Sequence, residues 1–155
     1  MPKVMVAYES RYGNTKRVAG AIVEGIRLVE EVEAVLSDVK DVDLDAIADY
    51  DAIVIGGPNH MGGPTRGVKK FVDKLGTLPL KDKRFAVFDT YTSRDFEKAT
   101  RKLEQRIHEK VPGLKMIAPG LSVKVQGMKG PIADGELPKC TEFGTEIATQ
   151  LMASP

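Results

Sequence analysis

The sequence predicts an α/β fold, a doubly wound five-stranded parallel sheet with helices on both faces. Three observations carry that prediction. Short apolar runs of strand length alternate with amphipathic runs of helix length along the whole chain. The runs KVMVAY at 3–8 and AIVI at 52–55 are continuous rather than alternating, as strands covered on both faces are. The helical runs between them supply the crossovers that parallel strands need, and such crossovers are right-handed. With 155 residues and 42% hydrophobic content, the chain suffices for one compact domain, 1–155, and is too short for two.

Taken in order, Lys3 to Tyr8 reads as the first strand, and Thr15 to about Leu28 as a helix with Val18, Ile22 and Ile26 on one face. Glu31 to Leu36 alternates as a shorter second strand. An acidic stretch follows, in which Leu44 and Ile47 suggest a short helix. Ala52 to Ile55 is the third strand, and Pro64 to Leu75 a helix with Val68, Phe71, Val72 and Leu75 at i, i+3, i+4, i+7 spacing. Arg84 to Phe88 is the fourth strand. Asp95 to Lys110 is a helix expected to face inward through Phe96, Ala99, Leu103 and Ile107. The fifth strand comes in two pieces, Leu114 to Ile117 and Leu121 to Val125, bent between them at Pro119-Gly120. Leu137 to Met152 is the last helix, with Cys140 at core spacing to Phe143, Ile147 and Leu151, so the lone cysteine reads as a small buried hydrophobe.

In such sheets ligands bind outside the carboxyl ends of the strands where strand order reverses, a point that for the order 2-1-3-4-5 lies between the first and third strands. The first of those loops, Ser10-Arg11-Tyr12-Gly13-Asn14-Thr15, joins a buried strand to a helix. Short hydroxyl and amide side chains, a glycine and the free N–H groups of a helix start together favour a phosphate dianion. The bland alternative is an ordinary N-cap, with Asn14 or Thr15 closing the helix. The loop after the third strand, Gly56 to Pro64, holds Pro58, Asn59, His60, Met61, Gly62 and Gly63, and its glycines let backbone lie against a flat ligand. After the fourth strand come Asp89, Thr90, Tyr91, Thr92 and Ser93, with Tyr91 as a candidate ring contact.

Several chemistries are excluded by what is missing. One glycine in the first turn does not make a G-x-G-x-x-G fingerprint, and no G-x-x-x-x-G-K-[ST] occurs. Gly56-Gly57-Pro58 stands where a phospho-acceptor domain needs an aspartate. Ser10 lacks the G-x-S-x-G elbow, and His60, His108 and Cys140 have no metal-ligand spacing, His108 reading as a solvated surface residue. The 23 basic and 22 acidic residues nearly balance, which supports neither nucleic acid nor an anionic membrane as partner. A strand pattern that starts at once, with no bilayer-length apolar stretch, leads us to expect a soluble cytoplasmic protein.

The first turn resembles the phosphate loop of flavodoxins, [TS]-x-[TS]-G-x-T, at Ser10, Gly13 and Thr15, and departs from it at Tyr12. Met61-Gly62 resembles the flavin-facing loop of some of these families, and Pro119-x-Leu121 with Glu142-Phe143-Gly144 resembles the flavodoxin C-terminal segment. The likeness to short-chain flavodoxins thus covers nearly the whole chain. It implies a flavodoxin-like fold with strand order 2-1-3-4-5, an FMN cofactor held by the three loops, and electron transfer between redox partner proteins. It also implies a Gly62-Gly63 peptide free to invert beside the flavin. Where short-chain flavodoxins often have Gly-Ser-Tyr-Gly-Trp, this chain has Asp89-Thr90-Tyr91-Thr92-Ser93, so Ser93 replaces a ring-covering Trp. Two alternatives stand beside the carrier: an FMN-dependent NAD(P)H:quinone oxidoreductase, whose family often has S-x-Y-G as in Ser10 to Gly13, and a flavin-free binding module.

Overall fold

A computed structural model describes residues 1–153. The elements run β1 (Lys3–Tyr8), α1 (Asn14–Arg27), β2 (Glu33–Asp38), β3 (Ala52–Pro58), α2 (Arg66–Leu75), β4 (Arg84–Tyr91), α3 (Lys98–Lys110), β5 (Lys115–Met116), β6 (Leu121–Lys124) and α4 (Glu136–Ala153). All pairings are parallel, in the order β2-β1-β3-β4-β5, with β6 also on β4. This is the anticipated doubly wound sheet. β5 and β6 are the two pieces of the fifth strand, at Arg84↔Lys115 and Phe88↔Leu121 along the same edge of β4, with Pro119-Gly120 between them.

Burial follows the sequence pattern. On one face of the sheet, Val18, Ile22 and Ile26 of α1 pack with Cys140, Ile147 and Leu151 of α4. On the other, Val68, Phe71, Val72 and Leu75 of α2 pack with Leu103 and Ile107 of α3. Burial pushes the Cys140 thiol up to about 12, which leaves it protonated and inert at neutral pH. α1 and α4 cross unusually closely, because each brings a glycine to the crossing. A Cβ on Gly25 would lie 2.0 Å from the Thr141 carbonyl oxygen, and one on Gly144 would lie 2.0 Å from that of Ile22. The Thr145 hydroxyl donates across the same crossing to the Gly25 carbonyl, at 2.9 Å.

Several boundaries differ from expectation, among them β3, which runs on to Pro58 rather than ending at Ile55. β2 lies two residues further along, and the acidic stretch forms two 3-10 turns, Val39–Asp41 and Leu44–Asp49, in place of one short helix. Helix α2 starts at Arg66 because Thr65 caps it, accepting from the Val68 N–H at 3.4 Å. β4 runs on through Asp89, Thr90 and Tyr91, since β3 and β6 both continue beside it to pair Pro58↔Thr90 and Thr90↔Val123. Helix α3 begins only at Lys98, because Ser93 and Glu97 take positive φ of 57° and 61° and interrupt any helix from Asp95. Phe96 therefore faces out, 56% exposed, and is not part of the core.

Candidate functional site

The carboxyl ends of β1, β3 and β4 open onto a cavity of about 340 Å³. That volume falls within the range of small-molecule and cofactor sites, about 300 to 1,000 Å³. The β1–α1 turn forms its floor with Ser10, Arg11, Tyr12, Asn14 and Thr15, and the segment after β3 supplies Pro58, Asn59, His60 and Met61. Thr92, Asp95 and Met128 complete the lining.

The turn is held open by its own hydrogen bonds. The Gly13 N–H donates to Ser10 Oγ at 3.0 Å, and Gly13 sits at the N-cap of α1 with φ of 91°, a conformation that suits glycine. No side chain caps α1, and no acidic residue occupies its first turn. Neither Asn14 nor Thr15 closes the helix as an ordinary N-cap would. The helix presents unsatisfied N–H groups and its positive end to the cavity floor. Thr15 is buried, and its hydroxyl lies 3.0 Å from that of Thr90, so two hydroxyls from adjacent elements share one proton and leave the other free to donate. Ser10, Thr15 and the free helical N–H groups are a donor set that fits a phosphate. Above them, apolar Pro58, Met61 and Met128 with the Tyr12 ring fit a flat aromatic ligand. The residues present thus suit a group such as FMN.

The segment after β3 is braced from below. Asn59 donates through Nδ2 to the Thr90 carbonyl at 3.1 Å and accepts the Ala99 N–H of α3 on Oδ1 at 3.0 Å. Glu9 accepts the Thr65 hydroxyl at 2.7 Å, tying the end of β1 to the start of α2. Beyond Asn59 the chain reverses: His60 N–H donates to Gly63 O at 2.7 Å and Gly63 N–H to His60 O at 3.1 Å. Met61 and Gly62 take φ of 54° and 75°, so this is a type I′ turn centred on the Met61-Gly62 peptide rather than on Gly62-Gly63. Met61 is left 92% exposed at the rim.

Of the anticipated site residues, the cavity thus gathers Ser10, Arg11, Tyr12, Asn14, Thr15, Pro58, Asn59, His60 and Met61. Gly13, Gly62 and Gly63 shape the turns without lining it. Asp89 and Thr90 lie beneath, in β4. Asp89 accepts Ser122 Oγ at 2.5 Å and the Thr100 N–H at 3.0 Å, and Ser122 Oγ in turn accepts the Glu97 N–H at 3.0 Å. Burial pushes the Asp89 carboxyl up to about 6, against these bonds that favour its charged form. Tyr91 does not line the cavity, and its ring meets Phe96 edge-on at 5.3 Å. Ser93 lies exposed outside it. Met128, Asp95 and Thr92 were not singled out from the sequence. Met128 arrives from the β6–α4 connection, where the Tyr12 hydroxyl meets its sulfur at 3.8 Å and Lys129 stands over the Tyr12 ring at 5.9 Å.

Comparison with known proteins agrees with this fold. Residues 5–127 match the family model described as Flavodoxin domain. A flavodoxin of Aquifex aeolicus is 37% identical over 50% of this chain and 43% of its own. An NAD(P)H dehydrogenase (quinone) of Chromohalobacter salexigens is 33% identical over 50% of this chain and 49% of its own. This chain therefore spans about half the length of the curated relatives it matches. Among solved structures, a flavodoxin from the domain Archaea superposes with a TM-score of 0.84 and 26% identity, covering 97% of this chain and 99% of that one. With most of its length matched by the family model, the chain belongs to the flavodoxin domain family.

Proposed function

We propose that this chain binds FMN in the β1/β3/β4 cavity and carries electrons between redox partner proteins. The observation that carries the reading is the uncapped start of α1 beneath the cavity, flanked by the Ser10 and Thr15 hydroxyls. Proteins of this family bind flavin, typically FMN, and flavodoxins transfer electrons to partner proteins. FMN supplies one- and two-electron chemistry at its ring. The chain holds the phosphate on the β1–α1 turn and shields the ring with the Met61 turn and the Met128 segment.

Thr15→Ala tests the phosphate assignment. A hydrogen bond to a charged acceptor is worth about 1.5 to 3 kcal/mol, so FMN affinity should fall at least several-fold in fluorescence titrations. Riboflavin, which lacks the phosphate, should bind Thr15→Ala and wild type alike. The substitution also removes the Thr90 hydroxyl's partner, and general loosening from that loss would weaken both ligands equally. Equal losses would therefore count against a phosphate on this turn.

A second reading, an FMN-dependent NAD(P)H:quinone oxidoreductase, is favoured by Tyr12 in the Ser10-Arg11-Tyr12-Gly13 turn and by the quinone dehydrogenase among the relatives. Steady oxidation of NAD(P)H by the FMN-loaded protein with a quinone would establish it. Turnover no faster than free FMN would favour the carrier.

A further inference from the structure

Beside the cavity, and sharing His60 and Met61 with it, a groove of about 590 Å³ runs between α2 and α3. Arg66 and Lys69 line it from α2, Lys102 and Arg106 from α3, and no acidic residue lines it. Near the groove, Lys98 pairs with Asp95 at 3.3 Å and Arg101 with Glu97 at 3.1 Å, and the groove's own Arg106 is held by Asp73 at 2.7 Å. Arg66, Lys69 and Lys102 make no ion pair among the described residues. Lys102 is moreover fitted to the rim, since a Cβ on Gly63 would lie 3.5 Å from its Cδ and 3.8 Å from its Nζ. Its ammonium is thereby set beside the turn that carries Met61.

The acidic residues of the neighbouring β2–β3 connection stay out of the groove, since that connection packs against α2 at Gly67, Lys70, Phe71 and Lys74. Asp41, Asp43, Asp45, Asp49 and Asp51 cluster in that connection, just after Asp38 at the end of β2, while the charged residues that line the groove are all basic.

We infer that the α2–α3 groove is the docking surface for a protein partner with a cluster of Asp and Glu side chains on its own contact face. A small anion fits the groove less well. Its cations stand on two separate helices, and the N-terminus of α2 is already capped by Thr65, so no convergent backbone donors form a phosphate cradle. Separated like charges around an open trough match separated carboxylates on a second surface. Docking there brings the partner against Met61, at the mouth of the cavity. That the partner is a redox protein rests on the FMN reading above; the docking does not.

The test uses hexa-aspartate peptide as probe, with inorganic pyrophosphate and a thymidine hexanucleotide as competitors, followed by backbone amide NMR of the full chain with and without FMN. Hexa-aspartate should shift amides in segments 60–69 and 98–106, and its binding should weaken at least about five-fold when ~0.15 M salt cuts the Debye length to about 8 Å. Lys69→Glu with Lys102→Glu should abolish those shifts, and Lys69→Gln with Lys102→Gln should reduce them, while both variants keep wild-type FMN affinity. Shifts elsewhere, insensitivity to the charge reversals, or tighter binding of pyrophosphate or the oligonucleotide in the groove would overturn the inference. Failure of the FMN reading would show separately, as no flavin binding by a chain that still binds hexa-aspartate.

Discussion

Gly144→Ala is expected to destabilise the protein by about 3 kcal/mol, the upper end of the usual cost of overpacking a close-packed interior. The added Cβ would lie 2.0 Å from the Ile22 carbonyl oxygen and 2.9 Å from the Ile26 nitrogen. Both are backbone atoms of α1, so no side chain can rotate aside and the two helices must separate. For a domain of this size each kcal/mol moves Tm by about 2 to 4 °C, which gives a fall of about 6 to 12 °C in a thermal melt. Gly25→Ala meets the Thr141 carbonyl oxygen in the same way and should cost about as much; the double variant should cost less than the sum, since one separation relieves both. Displacing α1 also shifts the uncapped helix start under the cavity. Flavin affinity should therefore fall in Gly144→Ala although residue 144 is nowhere near the ligand. A melt within a degree of wild type would show that the crossing is looser than described.

Asp89 should make stability depend on pH in the reverse sense to an ordinary paired carboxylate. Its folded value is about 6, above the ordinary 3.8, so the folded chain holds this proton where the unfolded chain has released it. The stability it contributes is fully present below about pH 3.8 and is lost as pH rises through about 6. At 1.36 kcal/mol per pH unit, that displacement corresponds to about 3 kcal/mol. Asp89→Asn cannot ionise, and the amide oxygen still accepts the Thr100 N–H. Urea unfolding of both proteins from pH 3.5 to 7.5 should show the variant gaining about 3 kcal/mol on wild type across the window. Parallel curves would mean that Asp89 keeps its ordinary value and that the Ser122 and Thr100 bonds offset its burial.

The alternation of strands and helices and most of the cavity were legible in the sequence because they follow from local patterns, while the strand order came with the flavodoxin resemblance. Continuous apolar runs of four to six residues bounded by turn residues read as covered strands, and a short polar turn between β1 and α1 carries its chemistry on its face. What escaped depended on partners distant in sequence. Asp89 and Thr90 read as loop because they are polar. They extend β4 instead because Ser122 and Thr15, remote in the chain, satisfy them. Phe96 has helical spacing to Ala99 and Leu103, yet Glu97 in the left-handed region ends that register before it reaches the core. Met128 lies in an aperiodic segment whose approach to Tyr12 spans 116 residues. The only signal for it was an isolated apolar residue between Gly127 and Gly130, just past the last strand.

The central claim, that the β1–α1 turn seats the phosphate of FMN, is tested most directly by titrating the chain into FMN and into riboflavin while following flavin fluorescence. Two or more hydrogen bonds to a phosphate, at about 1.5 to 3 kcal/mol each, predict saturable one-to-one binding of FMN at least ~100-fold tighter than riboflavin. Equal affinity for the two, or no binding of either, would contradict it.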